Sequence, residues 1–170
     1  MIYIGIDPGK TGAIVALDAT NWSIALAWTA DGPDGYYRDG EPDPLVIADR
    51  LRPLRESGVA LVAIETPFAP RAVGTANALH MGLAWGLLLG AVLAARLPLR
   101  RVTPAAWSVA ILGAPPKGGW PDRAKKQASA RCAAERLPQL RLVLPGRRVA
   151  HDGLSDAACV ALWAVRSIPW

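Results

Sequence analysis

Four carboxylates stand where the chain changes direction. Asp7 closes the alternating run Ile2-Tyr3-Ile4-Gly5-Ile6 and is followed by Pro8-Gly9. Glu65 closes the apolar run Val59 to Ile64 and is followed by Thr66-Pro67. Asp152 and Asp156 are spaced i and i+4, on one face of a helix that opens at Asp152. Acids at the ends of neighbouring strands share a cleft, and carboxylates gathered there repel one another unless a cation lies between them. Hard divalent ions take oxygen ligands of this kind, and a pair of them about 4 Å apart activates water and stabilises the leaving oxygen in phosphodiester cleavage.

Each acid taken alone also has a plain structural reading. Asp7 suits the turn before Pro8-Gly9, Asp152 suits a helix cap, and Asp156 suits a solvated helix face. Glu65 is harder to read that way, because a charge ending a buried strand needs a partner or an ion. His151, beside Asp152, suits either a water-orienting or metal-binding imidazole or an ordinary surface residue at a helix start. His80 sits in an apolar segment and reads as an interior hydrogen-bonding residue. The stretch Asp7-Pro8-Gly9-Lys10-Thr11-Gly12 also matches a phosphate-binding turn of sugar-kinase and actin-like ATPases, but those proteins need two such domains and a second turn.

The elements that must position these acids follow from periodicity. Met1 to Ile6, Ala13 to Leu17 and Trp22 to Trp28 read as three antiparallel strands. A loop rich in Asp, Gly and Pro covers Asp31 to Asp43, and Pro44 to Glu56 is an amphipathic helix with Leu45, Ala48, Leu51 and Leu54 on one face. Val59 to Ile64 is an apolar strand of the kind buried on both faces of a parallel arrangement. Gly74 to Leu97 predicts a long, largely buried helix, and Arg100 to Thr103 a short strand leading to a helix from Pro104 through Ile111. Gly113 to Pro121 is a loop, Asp122 to Leu137 a helix with Asp122 as cap, Pro138 to Ala150 irregular, and Asp152 to Ser167 the last helix. Strands first, then strands alternating with helices, predict a mixed α/β sheet flanked by helices.

The 170 residues suit a single domain spanning 1–170, and a hydrophobic share of 52% supplies its core. The net charge of +5 favours an anionic partner without naming one. Cys132 and Cys159 lie in alanine-rich helical segments and read as buried thiols, with no disulfide framework. No secretory signal is read at the N-terminus, so an intracellular location is expected. The longest apolar run, Met81 to Ala95, has 15 residues and three glycines, short of the roughly 20 a membrane-spanning helix needs; no membrane partner is expected.

The ordered set Ile4-Gly5-Ile6-Asp7-Pro8-Gly9, then Ala63-Ile64-Glu65, then His151-Asp152-Gly153-Leu154-Ser155-Asp156-Ala157-Ala158 resembles the RuvC family of Holliday-junction resolvases, its phage-type members above all. The resemblance extends over Val102-Thr103-Pro104-x-x-Trp107 and the Lys125-Lys126-x-x-Ser129 helix, and so over nearly the whole chain. It implies a ribonuclease H-like fold with a mixed five-stranded sheet flanked by helices. It implies that Asp7, Glu65 and Asp156 are metal-binding catalytic acids with Asp152 the fourth, using two Mg²⁺ ions, with Mn²⁺ a possible substitute. It also implies a homodimer that nicks opposed strands of a four-way DNA junction symmetrically, in the cytoplasm of a bacterial or phage-infected cell.

Three departures from the family pattern stand out. The last two acids are four residues apart where many members have three, which leaves either His151 or Asp152 as the fourth contact. Ser108 follows Trp107 where many relatives carry a lysine, and Lys125 and Lys126 are the candidates to compensate. The loop Pro115 to Pro121 has no counterpart in the family pattern. For DNA binding, Lys117, Arg123, Lys125, Lys126 and Arg131 form a basic set on and beside that loop; Arg71 follows Glu65, and Asn77 opens the long helix. The competing readings are a related nuclease acting on RNA or other branched DNA, and a junction-binding module without cleavage. Four retained acids weigh against the latter, since a phosphate-binding surface gains by shedding negative charge.

Overall fold

The computed structural model describes residues 1–67 and 74–168. Five strands form the main sheet: β1 (Ile2–Asp7), β2 (Ala13–Asp18), β3 (Ser23–Thr29), β6 (Val59–Glu65) and β7 (Leu99–Val102), in the order β3-β2-β1-β6-β7. A separate hairpin pairs β4 (Tyr37–Arg38) with β5 (Glu41–Pro42). β1 runs antiparallel to β2 and parallel to β6, and β6 is parallel to β7. The helices are α1 (Pro44–Glu56), α2 (Thr75–Ala94), α3 (Pro104–Leu112), α4 (Asp122–Arg136) and α5 (Asp152–Ser167). This is the mixed α/β sheet flanked by helices that the sequence predicts.

Helix starts follow local chemistry. Asp43 caps α1, its carboxylate accepting from the amides of Leu45 and Val46 at 3.0 and 3.1 Å, with Pro44 in the first turn. Thr103 caps α3 in the same way, ahead of Pro104. Asp122 was expected to cap α4, but it is the first helical residue, and Pro121 occupies the cap position without a side-chain bond.

The two faces of the sheet bury separate cores. Tyr3, Val15, Leu61 and Ala63 face α3, α4 and α5. Ile4, Ile6, Ile14, Val62 and Ile64 face α1 and the end of α2. Because side chains alternate along a strand, Asp7 falls on the same face as Tyr3 and Gly5, and Glu65 on the same face as Leu61 and Ala63. Both acids therefore point toward α5. Gly5 makes room for that helix: a Cβ there would lie 2.1 Å from the carbonyl oxygen of Ala157 and 2.3 Å from the amide nitrogen of Ala161.

Other expectations are corrected as well. The loop expected over Asp31 to Asp43 contains the β4–β5 hairpin, whose strands of two residues each are too short to show an alternating pattern. The helix expected to be largely buried is not. Leu88, Leu89, Ala91 and Val92 of α2 are buried in the core and Trp85 packs partly buried against it, while Leu79, Met81, Leu83 and Leu93 are exposed. The N-terminal half of α2 projects beyond the layer under which its C-terminal half packs, so His80 is exposed rather than interior. By length and composition α2 is also long and apolar enough to cross a membrane, although its C-terminal turns are part of the core.

Candidate active site

Register and packing bring three of the predicted acids together. Ile6 pairs with Ile64 in the parallel β1–β6 ladder, which leaves Asp7 and Glu65 side by side where the strands end. The turn after β1 is tight: the Gly12 amide donates to the Gly9 carbonyl at 2.8 Å, and a Cβ on Gly12 would lie 2.2 Å from the Asp7 carbonyl oxygen. That turn rests on the start of α5, where a Cβ on Gly153 would meet the Thr11 carbonyl oxygen at 2.0 Å. With α5 pressed against both β1 and the turn, Asp156 sits beside the two strand-end acids.

The electrostatics bear out this closeness. Asp7 is pushed up from an ordinary aspartate to about 8, first by burial and then by the charges of Asp156 and Glu65. Burial likewise raises Glu65, against the pull of its hydrogen bond from Trp107 and of Lys125, with Asp156 adding to the rise. Burial raises Asp156 too, with Ser129 and Lys125 opposing and Asp152 contributing. The Asp156 Oδ1 atom is buried with no hydrogen-bond partner among the described residues. Ser129 stands near enough to favour the charged carboxylate, yet its hydroxyl makes no bond of ordinary geometry to it.

Tryptophans and a lysine complete the centre. Trp107 donates its indole N–H to Glu65 Oε2, and Trp85 donates to the Glu65 carbonyl at 3.1 Å, so side chain and backbone of this acid are both fixed. Lys125 lies over the Trp107 ring, its Nζ 4.6 Å from the ring centre, and its charge acts on all three acids. Ser108 donates to the Ala105 carbonyl at 3.3 Å, and the cation beside the acids is Lys125 of α4. A cleft of about 830 Å³ opens over Asp7 and Glu65, lined also by Lys10, Tyr37, Glu41, Asn77, His80 and Lys125.

The other predicted residues are placed differently. Asp152 is half exposed and paired with Lys126 at 2.7 Å. His151 caps α5: its Nδ1 accepts from the Leu154 amide at 3.2 Å, while its Nε2 lies 3.1 Å from Asp31. With both ring nitrogens engaged, His151 stands apart from the three acids. Lys117, Arg123 and Arg131 are exposed, and Arg131 lies 4.0 Å from Glu135. Arg71 lies outside the described residues. Sequence reasoning missed Tyr37 and His80 as parts of the cleft wall, and it read Lys125 as a rim cation rather than a member of the centre.

The three acids fit a divalent cation by their chemistry. They are all-oxygen donors, buried, mutually repelling and held back from ionising, and one oxygen lacks a partner among the described residues. Among the described residues, however, no three acidic, histidine or cysteine side chains already converge as a complete metal cage. Glu65 is turned toward Trp107, and Lys125 supplies the balancing charge.

No protein-family model and no curated protein sequence matches the chain. The comparison that succeeds is one of shape, and the class it defines is the ribonuclease H-like α/β fold. Two solved structures of RuvC from Thermus thermophilus share it. One, in complex with a Holliday junction substrate, superposes with a TM-score of 0.62 at 21% identity, over 95% of this chain and 90% of that one. The other gives 0.59 at 23% identity, over 95% and 92%.

Proposed function

We propose that this chain is a metal-dependent endonuclease that resolves four-way DNA junctions. The observation carrying this reading is that Asp7, Glu65 and Asp156, from β1, β6 and α5, lie close enough for their charges to act on one another, beside a cleft that Asp7 and Glu65 line, in a fold shared with a junction-bound RuvC. Asp7, Glu65 and Asp156 would hold Mg²⁺ or Mn²⁺, two ions being expected. Such ions activate a water and stabilise the leaving oxygen of the phosphodiester.

The chain's own groups prepare the site. Burial keeps bulk water from screening the acids, so a cation gains more here than at an exposed carboxylate pair. Trp107 and Trp85 hold Glu65 in place. Lys125 offsets the acids' repulsion and, from the cleft wall, meets an incoming phosphate. Lys117, Lys126, Arg123 and Arg131 supply a rim of positive charge for the flanking backbone, in a chain of net charge +5. The exposed apolar residues Leu79, Met81, Leu83 and Leu93 of α2 support a homodimer, which gives two centres for opposed strands.

The test is cleavage, with and without Mg²⁺, of a synthetic four-way junction beside linear duplex, flap and RNA–DNA hybrid of equal length. Paired symmetric nicks confined to the junction and dependent on the metal are expected. Cutting of hybrid or flap instead would move the chain to another nuclease class. Junction binding without any cutting would favour a non-enzymatic module.

A further inference from the structure

Part of the cleft wall is built, through Tyr37, Gly40 and Glu41, by the β4–β5 hairpin, which plays no part in gathering the acids. Its backbone is pinned: the Tyr37 amide donates to the Ala30 carbonyl at 3.2 Å and the Asp43 amide to the Tyr36 carbonyl at 2.9 Å. Arg38 adds bonds to the carbonyls of Gly35 and Tyr37 at 2.6 and 2.8 Å. Tyr36 is fully buried, edge-on to Trp28 at 5.1 Å and tilted against Tyr37 at 5.7 Å, so the Tyr37 ring is braced from behind.

Tyr37 lines the same cleft as Asp7, Glu65 and Lys125. Its hydroxyl is shielded from solvent and has no hydrogen-bond partner among the described residues. Burial and then the Asp7 charge hold the phenol above its ordinary range, so it remains an O–H donor at working pH. A buried donor left without an acceptor costs folding free energy, and such a group in a cleft calls for an explanation. An oxygen that enters the cleft would supply the acceptor that the described residues do not, and Lys10 and Lys125 stand on the walls beside the carboxylates of Asp7, Glu41 and Glu65 to hold an anionic one.

We propose that the Tyr37 hydroxyl is a substrate-contacting donor that binds a non-bridging oxygen of a backbone phosphate lodged in the cleft beside Asp7. The assignment rests on the nuclease reading for its ligand, a nucleic-acid phosphodiester. It adds a neutral contact from an element outside the acid cluster. A neutral donor suits this position, because a further cation would compete with a metal for the carboxylates, whereas a phenol leaves their charge intact.

The test compares Tyr37→Phe with the wild type in three measurements: equilibrium binding of a four-way junction in Ca²⁺, steady-state cleavage in Mg²⁺, and thermal unfolding without DNA. Tyr36→Phe, behind the wall, is the control and should bind the junction like the wild type. For Tyr37→Phe, roughly tenfold weaker binding is expected, the loss of one hydrogen bond to a charged group. KM should rise in step while kcat stays within about threefold, as for a contact made equally in ground and transition states. Tm should be unchanged or higher, because an unsatisfied hydroxyl is removed. Equal junction affinity in the two proteins overturns the proposal. So does a lower Tm, which would give the hydroxyl an acceptor within the free protein. A wild type that cuts no substrate overturns the nuclease reading instead, and the binding comparison still decides the role of Tyr37.

Discussion

Replacing Asp7 by asparagine should remove cleavage and stabilise the metal-free protein, and the second effect can be worked from the structure. An ordinary aspartate titrates near 3.8, whereas Asp7 in the fold titrates at about 8. Between those values the folded protein holds a proton that the unfolded chain has lost, so stability falls as pH rises through that window and levels off above it. Each pH unit inside the window costs about 1.4 kcal/mol. Asparagine keeps the shape and an oxygen for the Gly9 amide, which lies 3.4 Å from Asp7 Oδ1, but has no charge to bury. The stability gap between Asp7→Asn and wild type should therefore widen by about 4 kcal/mol from pH 5 to pH 8. Urea unfolding in chelator at those two values measures it directly. Added Mg²⁺ should narrow the gap at pH 8 by stabilising the wild type alone. A gap that stays constant with pH would mean that Asp7 ionises freely in the fold, and the account of a crowded, cation-seeking centre would be refuted.

Other expectations follow from the same contacts. Lys125→Met removes the cation that favours ionisation of all three acids; kcat should fall about a hundredfold, comparable to the loss of one electrostatic catalytic group, and the acidic limb of the pH–rate profile should move to higher pH. Lys126→Gln loses only an exposed pair with Asp152, so urea unfolding should show a change below about 1 kcal/mol, with a shallower salt dependence of junction binding. Asp152→Asn should cleave within a few-fold of wild type; loss of cleavage by orders of magnitude would bring Asp152 into the metal set. Gly5→Ala drives a methyl into the α5 backbone and should cost about 3 kcal/mol or more, with cleavage falling further than stability because Asp156 moves relative to Asp7.

Much of this site was legible because period and position agreed. The alternation Ile2, Ile4, Ile6 placed Asp7 on the opposite face of its strand, and the apolar run to Ile64 placed Glu65 at the end of a buried neighbour. The fate of a side chain that depends on a distant partner was not legible. His151 reads as a metal ligand or a surface residue until Asp31 is brought to its Nε2 by the fold. Lys125 and Lys126 are adjacent and chemically alike, yet helix geometry sends one over Trp107 into the centre and the other out to Asp152. The long apolar helix misled for a related reason: composition reports that α2 resists water, while only packing shows which of its turns are covered. The short β4–β5 hairpin had too few residues to leave a periodic signature.

The seating of α5 on β1 has a consequence for how such a centre persists while sequences drift. At Gly5 and Gly153 the helix touches strand and turn through main-chain atoms, so the spacing between Asp7 and Asp156 is set by polypeptide backbone, which is the same whatever the sequence. Leucines, valines and alanines elsewhere in the two cores are then exchangeable, altering how firmly the protein holds together without altering where its acids stand. Tolerance is concentrated in the many side chains that fill space, and intolerance in the few positions that have none.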